Sequence, residues 1–485
     1  MQADTKGDMR NNILPPAIVS PSREICIFCF RSAIQIRFML IPMRTSLVFL
    51  LAAPLLAQDS LSLREAVRLS LRENKAIAGS TAGVQASDAR ITQAHSGMLP
   101  KVNYSESFTR SDNPVFVFSS LLTQHQFGIE NFAIGPLNRP DFLNNFQSQL
   151  TVDQPLYDAG QTRNAVKSAG LAQKMTSEEQ RRVQMEVIGG TTRAYYGAVL
   201  AAEMLRTAEQ AVRSAGADLK RADAVRAAGM STDVDVLSIR VHLAAVNEQR
   251  INRAADLEVA KAALNDALGL PLDTPHSLTT PLAALQLPDL ALDGLERSAS
   301  DSRPEARETH LATNLAQTQA HVARSAMLPQ VSFRGAFEAD RQRFVYRAGA
   351  NWLASISLRW NLFNGSADKA RIEEAAHMVK RAESDEQRTD SAIRLQVRRA
   401  YAGLNAAQQR IDVAKAAVAE AEESLRITQN RYEAGMTNVT DLLRTETAVL
   451  ESRTRYLAAI HDQRIAATML ELAAGRLNAD SEVLN

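Results

Sequence analysis

Residues 432–443 read YEAGMTNVTDLL, and residues 226–237 read RAAGMSTDVDVL. Gly435, Met436, Asp441 and Leu443 each lie 206 positions after Gly229, Met230, Asp235 and Leu237. The same offset carries Arg399-Ala400-Tyr401 onto Arg193-Ala194-Tyr195 and Gly475 onto Gly269. The chain is two copies of one unit, and such repetition has to be read before any local pattern. A second landmark, SGMLPKVNYSESF at 96–108 against SAMLPQVSFRGAF at 325–337, is shifted by 229. The change of offset, 229 − 206 = 23, places an insertion of about that size in the first copy, between residues 108 and 155.

Around the quoted phrases the pattern is helical. No proline occurs from 365 to 433, a stretch of roughly 100 Å at 1.5 Å per residue. Leu404, Ile411, Val418, Leu425 and Tyr432 recur every seventh residue, and Ala400, Ala407, Ala414 and Ala421 fill the second seam position. The first copy keeps the register with Leu205, Val212 and Leu219, and with Ala201, Ala208, Ala215 and Ala222. Large residues at one seam position and alanine at the other predict a closely packed coiled coil. An ordinary helical hairpin core fits the same heptads. The quoted phrases then become hairpin tips. Gly229 and Gly435 suit the left-handed residue that ends a helix. Ser231, Thr232 or Asp233, and Thr437 or Asn438, suit the first cap of the next.

Between the helices the period changes to two. In FQSQLTVDQPL (146–156), Phe146, Leu150, Val152 and Leu156 share one face and Gln147, Gln149, Thr151 and Asp153 the other. In WLASISLRWNL (352–362), Trp352, Ile356, Leu358 and Trp360 point one way and Ser355, Ser357, Arg359 and Asn361 the other. Further strands are expected after the prolines, from Val102 to Phe108, where Glu106 breaks the alternation, and from Val331 to Phe337. Strands of about ten residues with one apolar face fit an outer-membrane barrel, in which Trp352, Ile356, Leu358 and Trp360 face lipid. A soluble sheet packed on one face gives the same alternation. Four strands cannot close, and open edges are excluded from lipid. Two chains would give eight strands and a nearly filled interior, and three would give twelve and a conduit.

Composition narrows the function. At 22% charged, 5% aromatic and net charge +1, the chain offers no basic patch for nucleic acid. The eight histidines are scattered with no pair at ligand spacing, so no metal or other cofactor is expected. A phosphate-binding glycine loop and a nucleophile elbow are absent from the sequence. An enzyme is therefore not expected. Met43, Arg44 and the apolar run Leu47–Leu56 read as a signal peptide cut near Ala57. Cys26 and Cys29 precede it, so the exported chain would carry no cysteine. The expected divisions are an upstream extension from a start codon called too early (1–42), the signal peptide (43–57), a first repeat (58–285) and a second (286–480). The first repeat holds a helix, strands near 101–111 and 146–156, and a long helical hairpin over 160–270. The second holds a helix, strands near 330–339 and 352–362, and a hairpin over 365–477. No run of 18 apolar residues follows residue 58, so no membrane-spanning helix is expected.

Two repeats of strand, strand and two long helices, an export signal and Ala-Gly-Met tips followed by Asp and Leu together resemble the TolC family of outer-membrane efflux proteins. The resemblance covers about residues 60–480. It is carried by YEAG (432–435), the Met-Leu-Pro strand entries, PLYDAG (155–160) and NLFNG (361–365). It implies an α+β membrane protein: a homotrimer whose twelve-stranded β-barrel, embedded in outer-membrane lipid, continues into a coiled-coil α-helical barrel across the periplasm. It also implies a periplasmic adaptor protein docked on the tips (Gly229, Met230, Gly435, Met436) and an inner-membrane pump, in an efflux or type I secretion system exporting small molecules or proteins. By the same resemblance Asp441 belongs to an aspartate ring at the periplasmic gate, and Tyr432 helps hold the mouth shut, with Asp235 as its acceptor. Thr437 stands where the family can carry a linking arginine, and Arg444 where a second aspartate can occur, so Arg444 is free to pair with Asp441. The extra residues near 112–145 are expected in an extracellular loop, with an inward-folded plug as the other arrangement. A periplasmic coiled-coil scaffold without transport activity is the competing class.

Overall fold

The computed structural model describes residues 59–229, 231–286, 291–345 and 349–485. The upstream extension, the signal peptide, both cysteines and Met230 lie outside the described residues. In chain order the elements are β1 (Asp59–Leu61), α1 (Leu63–Glu73), α2 (Lys75–His95), β2 (Lys101–Ser111), α3 (Pro114–Thr123), α4 (Ile134–Asn138), β3 (Leu143–Tyr157), α5 (Gln161–Ala227) and α6 (Asp233–Leu268). Then follow β4 (His276–Leu278), α7 (Leu292–Ser302), α8 (Pro304–Ser325), β5 (Gln330–Arg341), β6 (Gly349–Arg359), α9 (Ala367–Glu433) and α10 (Val439–Ala473). Among the described residues no helix is long and apolar enough to cross a membrane.

α5 and α9 each run 67 residues without a break, about 100 Å at 1.5 Å per residue. Near the sheet α5 packs between α2 and α8; toward the tips it packs between α6 and α10, and α9 packs on α8 and α10. The alanine seam explains this closeness. Ala208, Ala215 and Ala222 are buried to 3% exposure or less, because two neighbours approach the α5 backbone where only a methyl group fits.

Midway along the rod lies the main apolar core, with Leu63, Tyr195, Tyr196, Leu268, Ile393, Leu470 and Leu484 among its members. β1 and β4 pair in parallel beside it. The hydroxyl of Tyr195 pins this pair to α5: it donates to the Leu61 carbonyl (2.8 Å) and accepts from the Thr280 amide (3.0 Å). The repeats also show in two close approaches. Gly269, at φ +78°, seats the end of α6 against the Glu73 backbone, and Gly475, at φ +71°, seats the end of α10 against Ser302 and Arg303. A side chain at either position would collide.

The main sheet has the order β2-β3-β5-β6, all antiparallel, with β2 and β6 as open edges. β6 ends at Arg359, opposite Gln330, the first residue of β5. The strand expected over 352–362 therefore ends earlier, at Arg359, where its partner strand gives way to Pro329, which has no N–H to continue the ladder. Trp360 lies past the strand, and its indole N–H donates to the Met327 carbonyl (3.1 Å).

Candidate functional site

The two faces of the sheet are chemically distinct. Tyr104, Leu150, Phe337 and Trp352 form one row across all four strands. The adjacent row, on the other face, is Ser105, Gln149, Glu338 and Asn351. Trp352, Ile356 and Leu358 on the apolar face are 80%, 71% and 66% exposed. Trp360 is also exposed, beyond the strand. Glu106, the break in the first strand, is neutralised on the apolar face. Its carboxylate accepts from Arg341 Nη2 (2.9 Å), from the Tyr104 hydroxyl (2.8 Å) and from Ser148. A charge on such a face needs this pairing, since leaving it unpaired costs far more.

The connection from β2 to β3 leaves the sheet at the end remote from the long helices and then turns inward. The end of α3 lies on the polar face. Asn351 donates to the Thr123 carbonyl (3.0 Å), Gln124 Nε2 to Asn145 Oδ1 (2.8 Å), and Asn145 Nδ2 to the fully buried Asp340 (2.7 Å). Gly349 admits the contact, because a Cβ there would stand 2.2 Å from the Thr123 carbonyl oxygen. The connection, expected as an extracellular loop with an inward-folded plug as the other arrangement, thus folds back over the polar face of the sheet at this point. The polar rung of the sheet offers hydrogen bonds that an extended loop would forgo.

At the opposite end are the hairpin tips. Gly229 (φ +76°) and Gly435 (φ +68°) take the left-handed conformation, and Gly435 and Met436 donate back to Tyr432 and Arg431. Met436 is exposed at the turn. Thr232 caps α6 and Asn438 caps α10. The repeat extends to the side chains: Ser231 Oγ donates to Asp235 (3.0 Å) and Thr437 Oγ1 to Asp441 (2.9 Å).

These contacts place the expected gate residues. Asp235 closes a capping box with Thr232, which donates through both its amide (3.2 Å) and its hydroxyl (2.9 Å). Against the cost of partial burial, the Thr232 amide and hydroxyl and the Ser231 hydroxyl hold its carboxyl below the usual range. Tyr432 packs beside the small core of Ala222, Val236, Ile239 and Val439. Burial, then the carboxylates of Asp235 and Asp218, push its phenol above the ordinary value. Among the described residues Tyr432 makes no side-chain hydrogen bond to Asp235, whose Oδ2 accepts from Ser231 and from the amide and hydroxyl of Thr232. Arg444 stands 3.9 Å from Asp441 across one turn, with both side chains exposed. Arg221 of α5 pairs with Glu433 of α9 at 3.0 Å and so joins the hairpins near the tips. Sequence reading passed over this pair, because nothing in either helix's own pattern says which faces meet.

A family model described as outer membrane efflux protein matches residues 66–270 and 295–476. Protein CyaE of Bordetella pertussis is 28% identical over 427 residues, covering 86% of this chain and 85% of that protein. Outer membrane efflux protein BepC of Brucella suis is 23% identical over 442 residues, covering 89% and 90%. The crystal structure of the Campylobacter jejuni CmeC outer membrane channel superposes with a TM-score of 0.71 at 18% identity, covering 87% of each chain.

Proposed function

The chain belongs to the outer membrane efflux protein family, an outer-membrane channel with its helical rod in the periplasm, serving efflux or type I secretion; from that premise we propose that three copies assemble into the working conduit. Each copy supplies four strands to a twelve-stranded barrel, which leaves a lumen. The observation that carries this reading is the pair of open edges, β2 and β6. Unpaired backbone costs several kcal/mol per group in lipid, so the edges must be covered by other copies. The rod supports the same assembly. Val234, Leu237 and Val241 on α6, and Val413 on α9, are between 56% and 71% exposed, on the two outermost helices. The β2–β3 loop narrows the outer mouth, and the tips at Gly229 and Gly435–Met436 dock a periplasmic adaptor, with an inner-membrane pump supplying energy. The chain catalyses no reaction of its own.

Membrane fractionation with heat-modifiable gel mobility tests this reading. The protein is expected in the outer-membrane fraction as a species that runs as a trimer unheated and as a monomer after boiling. A soluble species with one mobility would overturn it and restore the scaffold reading.

A further inference from the structure

Just above the small apolar core at the tips, a layer of ionisable side chains lies where three helices meet: Asp218 on α5, His242 on α6 and Glu446 on α10. Asp218 and Glu446 are 5% and 8% exposed. His242 Nε2 stands 3.3 Å from Glu446 Oε2, while Asp218 Oδ2 and both Glu446 oxygens have no hydrogen-bond partner. Glu446 occupies a seam position, since Val439, Leu442, Glu446 and Val449 are all buried at spacings of three, four and three. A carboxylate is costly there unless something is gained. The layer is not part of the repeated unit: 206 positions earlier Glu446 becomes Arg240, and 206 positions later Asp218 becomes Ser424. It belongs to the contact between the first hairpin and the second. The three groups do not converge as a metal-ligand set among the described residues.

We propose that Asp218, His242 and Glu446 form a proton-controlled latch between the two hairpins, so that pH sets how readily the periplasmic mouth opens. The latch rests on the reading of the hairpin tips as that mouth. The surrounding charges are few. Arg221 on α5 lies 3.5 Å from Asp218 and 3.0 Å from Glu433 of α9. Tyr432 of α9 and Asp235 of α6 stand on the tip side. On the other side His242 and Glu446 line a cavity of about 550 Å³. Arg453 of α10 and Glu422 of α9 pair across that cavity at 2.6 Å, and Arg426 of α9 also lines it.

The chemistry gives the direction. Burial first, then the adjoining Glu446 carboxyl, push Asp218 up to about 7, with Arg221 opposing. Glu446, against its own burial, is held below the usual range by His242 and Asp218. Near neutrality a proton on Asp218 is thus the donor that the unpartnered oxygens lack. An acid whose pKa is raised in the packed state binds its proton more tightly there. The latch is therefore fully present at or below the ordinary aspartate pKa and is lost as pH rises through about 7. At higher pH two carboxylates face each other and the hairpins separate. Linkage allows the closed-to-open ratio to change by up to about tenfold per pH unit per chain over that window.

The test uses the purified full-length mature protein in planar bilayers, with pH varied from about 5 to about 8 on the side of the tips. In parallel, spin labels at Ala228→Cys and Ala434→Cys report the tip separation in a chain with no other cysteine after residue 29. Conductance and label separation are expected to rise with pH in the parent. In Asp218→Asn, which fixes a neutral hydrogen-bond donor at that site, both should stay at their low-pH values. A parent separation that ignores pH, or an Asp218→Asn protein that still responds like the parent, overturns the latch. Separation that follows pH in the parent and not in Asp218→Asn, without a change in conductance, upholds the latch and refutes the reading of the tips as the mouth.

Discussion

Tyr195 and Tyr196 are adjacent, both fully buried, and opposite in expected effect when each is changed to phenylalanine. Tyr195→Phe removes two hydrogen bonds. The Leu61 carbonyl keeps the Thr279 amide as a donor (3.1 Å), so the loss there is about 1 kcal/mol. The Thr280 amide loses its acceptor, a buried donor left unpaired at about 1–3 kcal/mol. The sum is about 2–4 kcal/mol against the β1–β4 pair and its hold on α5. Tyr196 has a hydroxyl with no partner, and its ring, which Arg464 overlies at 5.5 Å, survives in phenylalanine. Tyr196→Phe should be neutral or stabilising by about 1 kcal/mol. Amide hydrogen exchange reads this directly. The Thr280 amide should exchange about 30- to 900-fold faster in Tyr195→Phe, since each 1.36 kcal/mol is tenfold, and no faster in Tyr196→Phe. Equal effects of the two substitutions would refute the assignment of the hydrogen bonds.

Ile356→Arg puts a charge on the apolar sheet face and should cost about 2–4 kcal/mol if that site lies near the bilayer midplane, seen as loss of the heat-modifiable species. Ala215→Leu overpacks a fully buried seam position and should destabilise the rod by about 1–3 kcal/mol, measured by chemical denaturation. Tyr432→Phe should leave channel current near that of the parent, whereas Glu433→Gln, which removes the Arg221 link, should raise spontaneous opening in planar bilayers. Met436→Asp should preserve folding and assembly while abolishing export, and full export in that variant would remove Met436 from the docking surface.

Much of the architecture was legible because it is repeated. The contact of Gly269 with Glu73 recurs, at the offsets of 206 and 229, as that of Gly475 with Ser302, and the offset of 206 matches Ser231–Asp235 with Thr437–Asp441. What escaped the sequence depends on tertiary neighbours. The capping box of Asp235 with Thr232, a carboxylate three residues after a threonine cap, is a local use of that side chain that the family comparison alone did not bring out. The inward turn of the β2–β3 loop hinges on Gly349, a glycine more than 200 residues away in sequence from Ser111. Glu446 announces itself only as an interruption in the apolar seam of α10. Its partners could not be named until α5 was seen to lie between α6 and α10.

The unbroken length of α5 has a mechanical consequence. Its buried pair Tyr195–Tyr196 anchors it in the midway core, and from there to Ala227 the helix extends about 32 residues, roughly 48 Å at 1.5 Å per residue. Such a segment acts as a lever with its fulcrum at the waist. A tilt of about 5° there, small enough to leave the tyrosine contacts intact, carries the far end sideways by about 4 Å over that helical length. On the proposed reading of the tips as the periplasmic mouth, control of its aperture needs no melting or hinge within the helix. A modest change of angle at the waist is enough, and stiffness at that one level sets the precision of the whole arm.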